Sequence, residues 1–300
     1  MSITAPTHDG SGGAQAAPRQ WPRLTQAKVD LTRAIEGVNQ YGETVSLSIP
    51  AERALTVYVD KRELVTLMTL GAHPELLVLG FLRNQRLVDS VHEIESVTVD
   101  WQVGAAAVRT RQGIRHVEER TARRVVTTGC GQGSMFGELM QGVDNIVLPE
   151  AVLHQRQLYG IVDTIRLADS TYKAAGSVHG CALFRGDELL MFVEDVGRHN
   201  AIDTIAGWMW LQDEATGRGG DKVFYTTGRL TSEMVIKAAQ MGVPIVISRS
   251  GTTEMGLEVA RRLGLCTVGR ATNKHFVCYS APQRLQLQPS LAGARLRAVA

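Results

Sequence analysis

The sequence predicts an α/β protein with a parallel sheet in its C-terminal half and a smaller, β-rich N-terminal part. From Lys222 onward, apolar strand-like runs alternate with amphipathic helical segments, which is the pattern of parallel βαβ units. Two of these runs, VFYTT and PIVIS, are continuously apolar or β-branched, as expected for strands that helices cover on both faces. The residues before position 120 instead contain short β-branched runs, several of them alternating between apolar and polar side chains.

The N-terminal part begins with a tail, residues 1–28, whose small and polar composition predicts disorder. A small β-rich subdomain follows over residues 29–120. Within it one helix is predicted at His73–Asn84, with Pro74 in the first turn, where proline is favoured. Short strands are predicted around this helix, and the last two form a hairpin: Glu43–Ile49, Ala54–Val59, Glu63–Thr69, Ile94–Asp100 and Ala106–Arg109.

The α/β domain is predicted over residues 121–285, with a loose tail at residues 286–300. Gly186 and Asp187 predict a hairpin turn, and glycine or proline ends the two helices that follow Lys222. The helix at Pro149–Leu167 has an apolar stripe that includes Val152. In chain order we predict strand Arg124–Thr128, helix Pro149–Leu167, strands Cys181–Phe184 and Leu189–Val193, helix His199–Leu211, strand Lys222–Thr226, helix Glu233–Met241, strand Pro244–Ser248, helix Thr253–Leu263, and strands Leu265–Val268 and Phe276–Tyr279.

Composition excludes several classes of protein. A net charge of +2 is too balanced for a protein that binds nucleic acid along its length, and no apolar run is long enough to predict a membrane span. The N terminus lacks the basic and apolar regions of a secretory signal, so we expect a cytoplasmic protein with reduced thiols. None of the 4 cysteines forms a C-x-x-C pair, which excludes a four-thiolate zinc ribbon and a thioredoxin-type dithiol.

Cys130 differs from the other cysteines because glycine flanks it on both sides in the loop TTGCGQGS. An uncluttered loop predicts an exposed and reactive thiol, although an incidental cysteine in a glycine-rich turn would look the same. Cys181, Cys266 and Cys278 lie in apolar, strand-like segments, and we expect them to be buried as small hydrophobic residues.

Three further loops follow predicted strands, and ligands of such sheets bind beyond the carboxyl ends of the strands. The loop EDVGRHN places Arg198, a planar donor for phosphate, next to His199, which titrates near neutral pH. Arg229 in TTGRLTS and Ser250 in SRSGTT precede helix N termini, where free N–H groups favour anions. Each loop alone could be ordinary helix capping, but two successive turns with Arg, Gly and Ser/Thr favour a nucleotide-like anionic ligand.

No metal centre is predicted. His179 in GSVHG is a lone histidine and is interpreted as structural, because no further ligands at suitable spacing accompany it. The zinc deaminase signature, H-x-E followed by P-C-x-x-C, is absent.

The strings TTGCGQGSMF, GSVHGCALF, EDVGRHNAIDTIAG and TTGRLTSEMVIKAAQMGVPIVISRSGTT resemble the FdhD family of formate dehydrogenase accessory sulfurtransferases, over residues 40–285. The resemblance implies a cytidine-deaminase-like three-layer core without the deaminase zinc, and a cytoplasmic homodimer. It also implies that a cysteine desulfurase passes sulfane sulfur to Cys130 as a persulfide. The sulfur then goes to molybdenum bound by two molybdopterin guanine dinucleotides, for the catalytic subunit of formate dehydrogenase. The cofactor-binding segment of the family falls on Arg270, Ala271, Thr272, Asn273, Lys274 and His275.

The chain departs from the family pattern at two places. Gly133 stands where many relatives carry a second cysteine, so a one-cysteine mechanism is expected. Asn273, Lys274 and His275 stand where relatives tend to have a Gly-Gly-Arg-like stretch. Two alternatives stay open: a non-catalytic chaperone that binds and delivers the molybdenum cofactor without needing Cys130, and a divergent nucleoside or nucleotide deaminase, which would hold zinc.

Overall fold

Two helices, one from each part of the chain, pack against each other between two large sheets. The computed structural model describes residues 20–113, 125–126, 133–134, 143–212 and 219–292. Its N-terminal part contains β1 (Arg23–Leu24), β2 (Thr32–Val38), β3 (Thr44–Pro50), β4 (Arg53–Val59), β5 (Arg62–Thr69), α1 (Pro74–Asn84), a 3₁₀ turn (Val91–Glu93), β6 (Ile94–Asp100) and β7 (Ala105–Thr110).

The second part begins with short paired strands and continues as an alternation of helices and strands. It contains β8 (Val125–Val126), β9 (Gly133–Ser134), a 3₁₀ turn (Val143–Asn145), β10 (Leu153–His154), α2 (Gln155–Leu167), α3 (Thr171–Ala175), β11 (His179–Arg185), β12 (Glu188–Asp195), α4 (Arg198–Leu211), β13 (Lys222–Thr226), α5 (Ser232–Gln240), β14 (Ile245–Ser248), α6 (Glu254–Leu263), β15 (Cys266–Thr272), β16 (His275–Ser280), a 3₁₀ turn (Pro282–Arg284), β17 (Leu285–Gln286) and a 3₁₀ turn (Pro289–Ala292).

The N-terminal sheet has the strand order β1-β6-β7-β4-β5, and α1 covers one of its faces. The larger sheet, called the large sheet below, has the order β12-β11-β13-β14-β15-β16. Its strands β13, β14 and β15 are parallel, while β11, β12 and β16 pair antiparallel with their neighbours. Helices α4, α5 and α6 pack on one face and α2 on the other. The α/β class, with its β-rich N-terminal part, is therefore confirmed.

The backbones of α1 and α4 approach closely at two glycines. A Cβ atom added to Gly80 would lie 1.6 Å from the carbonyl oxygen of Asp203, and one added to Gly207 would lie 2.0 Å from that of Leu76. Only glycine leaves room for this contact, which joins the N-terminal sheet to the large sheet through two helix layers. Asn84 Nδ2 strengthens the crossing by donating a hydrogen bond to Asp203 Oδ1, at 2.7 Å.

Within the described residues, the elements predicted for the α/β half are present. Most of their ends differ from the prediction by one or two residues, and the largest difference is at the first helix. The helix predicted at Pro149–Leu167 begins at Gln155, because Leu153 and His154 are extended and pair in parallel with β17. Val152, assigned to the apolar stripe, is 60 % exposed for the same reason. The predicted turn at Gly186 is present with φ 59°, and Gly264 ends α6 in the left-handed conformation.

Strand β2 and helix α3 are among the elements that were not predicted from the sequence. Strand β2 pairs with β3 in a separate two-stranded sheet, and most of its residues are half-buried or exposed, so no continuous apolar face marks it in the sequence. Helix α3 is one short turn held by a cap: the Ser170 hydroxyl accepts a hydrogen bond from Lys173 N at 3.2 Å. Such a turn is too short to show a helical period.

The two predicted tails are shorter than expected within the described residues. Arg23 and Leu24 of the predicted tail 1–28 pair with β6, and Thr25 Oγ1 donates to the buried carboxylate of Glu75 at 2.6 Å. At the other end, β17 and the last 3₁₀ turn extend the structure to residue 292. Residues 1–19 and 293–300 lie outside the described residues, as does the predicted domain boundary at 120/121.

We predict that Gly80→Ala and Gly207→Ala each lower the free energy of unfolding by about 3 kcal/mol or more, because the added methyl group meets rigid backbone. Urea-induced unfolding followed by circular dichroism measures this change. Gly160→Ala in α2 is the matched control, since its Cβ would meet only the flexible Asp187 side chain, at 3.2 Å. The control should be neutral or stabilising by up to about 1 kcal/mol. Equal effects of all three substitutions would show that the helix contact is not tight.

Candidate functional site

A cavity of about 660 Å³ opens at the carboxyl edge, the edge of the large sheet where β13, β14 and β15 end. Helices α2 and α3 close it from one side, and the start of β11 and the end of β12 complete its wall. Residues of the predicted loops and of the predicted cofactor segment line it together: Thr227, Arg249, Ser250, Ala271, Thr272 and Asn273. The expectation that these loops share a ligand-binding edge is therefore supported by one continuous cavity.

The charged side chains around the cavity are mostly basic. Arg166, Lys173 and Arg249 line it, and His179 stands at the start of β11. The one carboxylate among the lining residues, Glu194, is engaged in the fold, since it accepts hydrogen bonds from the backbone N–H groups of Thr171 and Tyr172 at the start of α3. The cavity therefore presents net positive charge to a ligand and fits an anion.

Hydroxyl groups hold the turns after β13 and β14 in place. The Ser248 hydroxyl donates to the carbonyl oxygen of Gly228 at 2.7 Å and accepts from Ser250 N at 2.9 Å. Thr226 Oγ1 accepts from Gly228 N at 3.1 Å. This arrangement brings Ser250, one of the predicted cofactor-binding residues, to the cavity wall. Arg229, in the same turn as Gly228, is exposed and does not line the cavity.

The cofactor segment predicted at Arg270–His275 forms the tip of the β15–β16 hairpin. Arg270 and Asn273 adopt left-handed backbone conformations, with φ 53° and 51°, which are uncommon for residues other than glycine. Tyr159 on α2 donates a hydrogen bond to the carbonyl oxygen of Lys274 at 3.0 Å, and Gln155 Nε2 donates to the Tyr159 hydroxyl at 2.7 Å. Thr272 and Asn273 thereby face the cavity, whereas Arg270, Lys274 and His275 are exposed outside it.

The loop EDVGRHN contributes Glu194 to the cavity wall, but not the two residues that were predicted to bind a ligand. Arg198 is 3 % exposed and His199 8 %, at the start of α4, and neither lines the cavity. Helix α4 packs on the face of the large sheet opposite α2. The Arg198 stem lies directly under the turn after β13, since a Cβ on Gly228 would come within 2.9 Å of Arg198 Cδ.

Asp195 of the same loop joins the two parts of the chain. Its carboxylate accepts from Thr69 Oγ1 at 2.5 Å and from Leu70 N at 3.0 Å, both at the end of β5. Asn200 Nδ2 donates to Asp195 at 2.8 Å and also to the carbonyl oxygen of Met68 at 2.7 Å. Burial raises the pKa of Asp195, while these hydrogen bonds act in the opposite direction.

His199 belongs to a buried chain of ionisable groups between α4 and α5. Its Nδ1 lies 3.6 Å from Glu233 Oε1, and Glu233 Oε1 lies 3.5 Å from Lys237 Nζ. Lys237 also forms a 2.8 Å ion pair with Asp203. Burial, with the positive charge of Lys237, lowers the pKa of His199 to about 3, so the imidazole is neutral at physiological pH.

The three described cysteines are free and lie in strands, but Cys278 is half-buried instead of buried as expected. Cys181 is fully buried, and burial raises the pKa of its thiol to about 12, so it is a poor nucleophile. Cys266 is buried and Cys278 is half-buried. Cys130, the predicted sulfur-carrying residue, lies outside the described residues, between β8 and β9.

Two features are absent from the described residues, a cluster of metal ligands and a helix that could span a membrane. Within the described ranges, no three His, Cys, Asp or Glu side chains are grouped so that they could hold a metal ion. Among the helices of the same ranges, none combines the length and apolar character that a membrane crossing needs.

Sequence reasoning missed Arg249 and His179 as cavity residues. Arg249 adjoins the predicted Ser250, but a side chain that follows a strand can point to either face, and only the structure shows which. His179 was interpreted as structural, yet it lines the cavity, and burial together with the charges of Arg198 and Arg229 lowers its pKa. The available signal was its position, two residues before the predicted strand Cys181–Phe184 and next to a glycine.

Comparisons with known proteins agree with one another. The family model FdhD-NarQ, described as the FdhD/NarQ family, matches residues 50–286. Two proteins named "Sulfur carrier protein FdhD" are similar to the chain. The one from Bacillus subtilis (strain 168) is 31% identical over 242 residues, which cover 78% of this chain and 89% of that protein. The one from Staphylococcus aureus (strain MRSA252) is 30% identical over 235 residues, which cover 78% of this chain and 88% of that protein.

A solved structure supports the same fold. A formate dehydrogenase accessory protein from Desulfotalea psychrophila superposes with a TM-score of 0.68 at 24% sequence identity, covering 85% of this chain and 98% of that chain. At this identity the likeness concerns the arrangement of strands and helices.

We predict that the neutral, buried His199 makes the fold sensitive to acid. Below pH 6.5 the unfolded chain binds a proton on this histidine, whereas the folded chain binds none until about pH 3, so stability falls as the pH falls through this window. The slope attributable to one such group is about 1.4 kcal/mol per pH unit. Wild type should therefore lose roughly 2 kcal/mol more than His199→Gln between about pH 6.5 and pH 5 in urea unfolding experiments.

His275→Gln is the control for this experiment, because solvent reaches the exposed His275 side chain in the folded chain. This variant should follow the wild-type pH dependence. An identical acid dependence for wild type and His199→Gln would contradict the neutral state of His199 in the fold.

Proposed function

Because the chain belongs to the FdhD/NarQ family, we propose that it is a sulfur carrier that serves the maturation of formate dehydrogenase. It accepts sulfane sulfur from a cysteine desulfurase as a persulfide on Cys130. It then transfers the sulfur to molybdenum bound by two molybdopterin guanine dinucleotides, before the cofactor reaches the catalytic subunit of the dehydrogenase. The observation that carries this proposal is the basic cavity that gathers Ser250, Thr272 and Asn273 at one sheet edge.

The sulfur transfer needs one nucleophilic thiolate on this chain. Attack of the Cys130 thiolate on the terminal sulfur of the desulfurase persulfide forms the new S–S bond and releases the desulfurase thiolate. On delivery, the sulfane sulfur becomes sulfide, and its two electrons come from the metal centre or from an external thiol. Cys181 is unsuited to this role since burial keeps its thiol protonated, which favours a loop cysteine as the carrier.

The molybdenum cofactor is the substrate of this transfer, and its phosphates and guanine are the groups for the cavity to hold. Arg249 supplies charge, and the hydroxyls of Ser250 and Thr272 and the amide of Asn273 supply hydrogen bonds. Exposed basic residues of the hairpin, Arg270, Lys274 and His275, and Arg229 of the neighbouring turn extend the positive surface toward the second dinucleotide. Arg198 acts by supporting the turn at Gly228, and His199 belongs to the buried group of ionisable side chains between α4 and α5.

The proposal has three further parts, which are the type of core, the oligomeric state and the cellular compartment. A cytidine-deaminase-like core is supported by the mixed large sheet between α2 and the layer of α4, α5 and α6. The proposal includes a cytoplasmic homodimer, and its dimeric state is supported by the β2–β3 hairpin, whose partly exposed side chains Val45, Leu47 and Ile49 share one face. A two-stranded hairpin of this kind gains stability from a covering partner.

The persulfide assignment predicts a mass change on Cys130. Incubation of the protein with a desulfurase and cysteine should add the mass of one sulfur atom to wild type, removable by dithiothreitol, and add nothing to Cys130→Ala. Intact-mass spectrometry measures both. Cys278→Ser is the control and should still take up sulfur. Uptake by Cys130→Ala would assign the sulfur to another residue.

The chaperone alternative gives a different result in cells. If Cys130→Ala restores full formate dehydrogenase activity to a strain lacking the chain, Cys130 is dispensable and the protein delivers the cofactor without sulfur transfer. The sulfur-carrier proposal instead expects activity to fall to the level of the empty strain.

The cavity assignment predicts that Arg249→Ala weakens the binding of guanosine diphosphate, used as a probe, by about tenfold, as expected for loss of a charge-assisted hydrogen bond. Isothermal titration calorimetry measures the dissociation constant. Arg261→Ala removes an equally exposed arginine from α6, on the other face of the large sheet, and should leave binding unchanged. Equal losses in both variants would mean that the probe responds only to net charge.

A further inference from the structure

Cys266 and Cys278 face each other across the last two strands of the large sheet. Their Sγ atoms are 4.0 Å apart, on the neighbouring antiparallel strands β15 and β16. The pairing of Val268 with Cys278 places Cys266 on the same face of the sheet, two residues earlier along β15. Cys266 is buried, while Cys278 is half-buried on β16, which ends the strand order of the sheet. One thiol of the pair is therefore accessible and the other lies behind it.

We propose that Cys266 and Cys278 are an oxidant-sensitive dithiol that closes into an intramolecular disulfide. In the first step the Cys278 thiolate attacks a hydroperoxide, the S–O bond forms, the O–O bond breaks, and a sulfenic acid and hydroxide result. In the second step the Cys266 sulfur attacks the sulfenic sulfur, forms the S–S bond and releases its proton, and water leaves. The peroxide oxygens receive the two electrons that the two thiols lose.

The surroundings of the two thiols differ in the way that this sequence of steps requires. The hydrogen bond from Cys266 lowers the pKa of Cys278 to about 7, and the same interaction, with burial, raises the pKa of Cys266. Cys278 is thus the thiolate that meets the oxidant. Its oxidation removes the hydrogen bond that is the largest cause of the raised pKa of Cys266, and Cys266 then resolves the sulfenic acid. Arg284 is the basic group that adds favourable charge near Cys266.

Closing the disulfide brings the sulfur atoms from 4.0 Å to about 2 Å apart and links β16 covalently to β15 at this point. Tyr279, which follows Cys278, lies against the strand that leads to the cavity: a Cβ on Gly269 would come within 2.5 Å of its ring and within 3.0 Å of the Ser250 carbonyl oxygen. The link at Cys278 therefore constrains a residue that adjoins the Ser250 turn. Resting on the proposed function, we expect oxidation to weaken nucleotide binding in the cavity.

The test uses the full chain with Cys130→Ser, so that Cys278 is the accessible thiol that reacts, alongside wild type. After treatment with hydrogen peroxide and alkylation, trypsin cleaves at Arg270 and Lys274, between the two cysteines. We expect a disulfide-linked pair of peptides containing Cys266 and Cys278, abolished by dithiothreitol. Oxidation of Cys278 to sulfinic acid without a linked peptide, or the absence of any modification of Cys278, would overturn the proposal.

A second measurement concerns the cavity. Guanosine diphosphate should bind the oxidised form at least about fivefold more weakly than the reduced form, the lower end of common coupling between sites. Cys266→Ser, which cannot close the disulfide, should lose no affinity on oxidation, and an equal loss in this variant would refute the coupling. If the probe binds neither form, the proposed function of the cavity fails, while the linked peptides still decide whether the dithiol exists.

Discussion

The backbones of α1 and α4 touch at Gly80 and Gly207, and the position of every other layer follows from that contact. Helix α1 carries the N-terminal sheet, and α4 carries one face of the large sheet. The loop that starts α4 is tied to the end of β5 through Asp195 and Asn200. Because a buried, multiply bonded carboxylate is costly to leave unpaired, this connection also fixes how the carboxyl edge lies relative to the N-terminal sheet.

The residues of EDVGRHNAID, the most distinctive string of the sequence, thus act mainly through buried contacts within the fold. Its Asp195, Asn200 and Asp203 bind other parts of the chain, Arg198 underlies the turn that borders the cavity, and His199 lies beside Glu233 of α5. The buried pair of Asp203 and Lys237 adds little net stability, since two charges must leave water. Its value is specificity, because removal of either partner leaves the other charge buried. A motif can therefore identify a family strongly while its residues act by shaping a site.

Much of the fold was predictable from patterning, because both faces of β13 and β14 are covered and their apolar runs are unbroken. The short α3 and the strand β2 were not predictable, because a helix cap stabilises α3 and a hairpin pairing stabilises β2. Neither element is marked by a periodic run of apolar residues. The cavity was predictable as an edge, since strands of parallel units end together. Which side chain of each turn faces it was not: Arg229 and Arg249 follow equivalent strands, yet only Arg249 of the two reaches the cavity wall. Which side chain faces the cavity depends on the hydrogen bonds that the hydroxyl groups of Thr226 and Ser248 make inside the turns.

The left-handed backbone at Asn273 carries a consequence for how this surface tolerates sequence change. Glycine and asparagine are the residues that adopt this conformation at low cost, so an exchange between them keeps the path of the chain at the hairpin tip. An exchange of Asn273 for glycine would therefore alter the side chain and leave the loop shape intact. Hydrogen bonds that the backbone of the hairpin tip makes can therefore be kept when the sequence changes. Hydrogen bonds that the side-chain amide of Asn273 makes are particular to this chain.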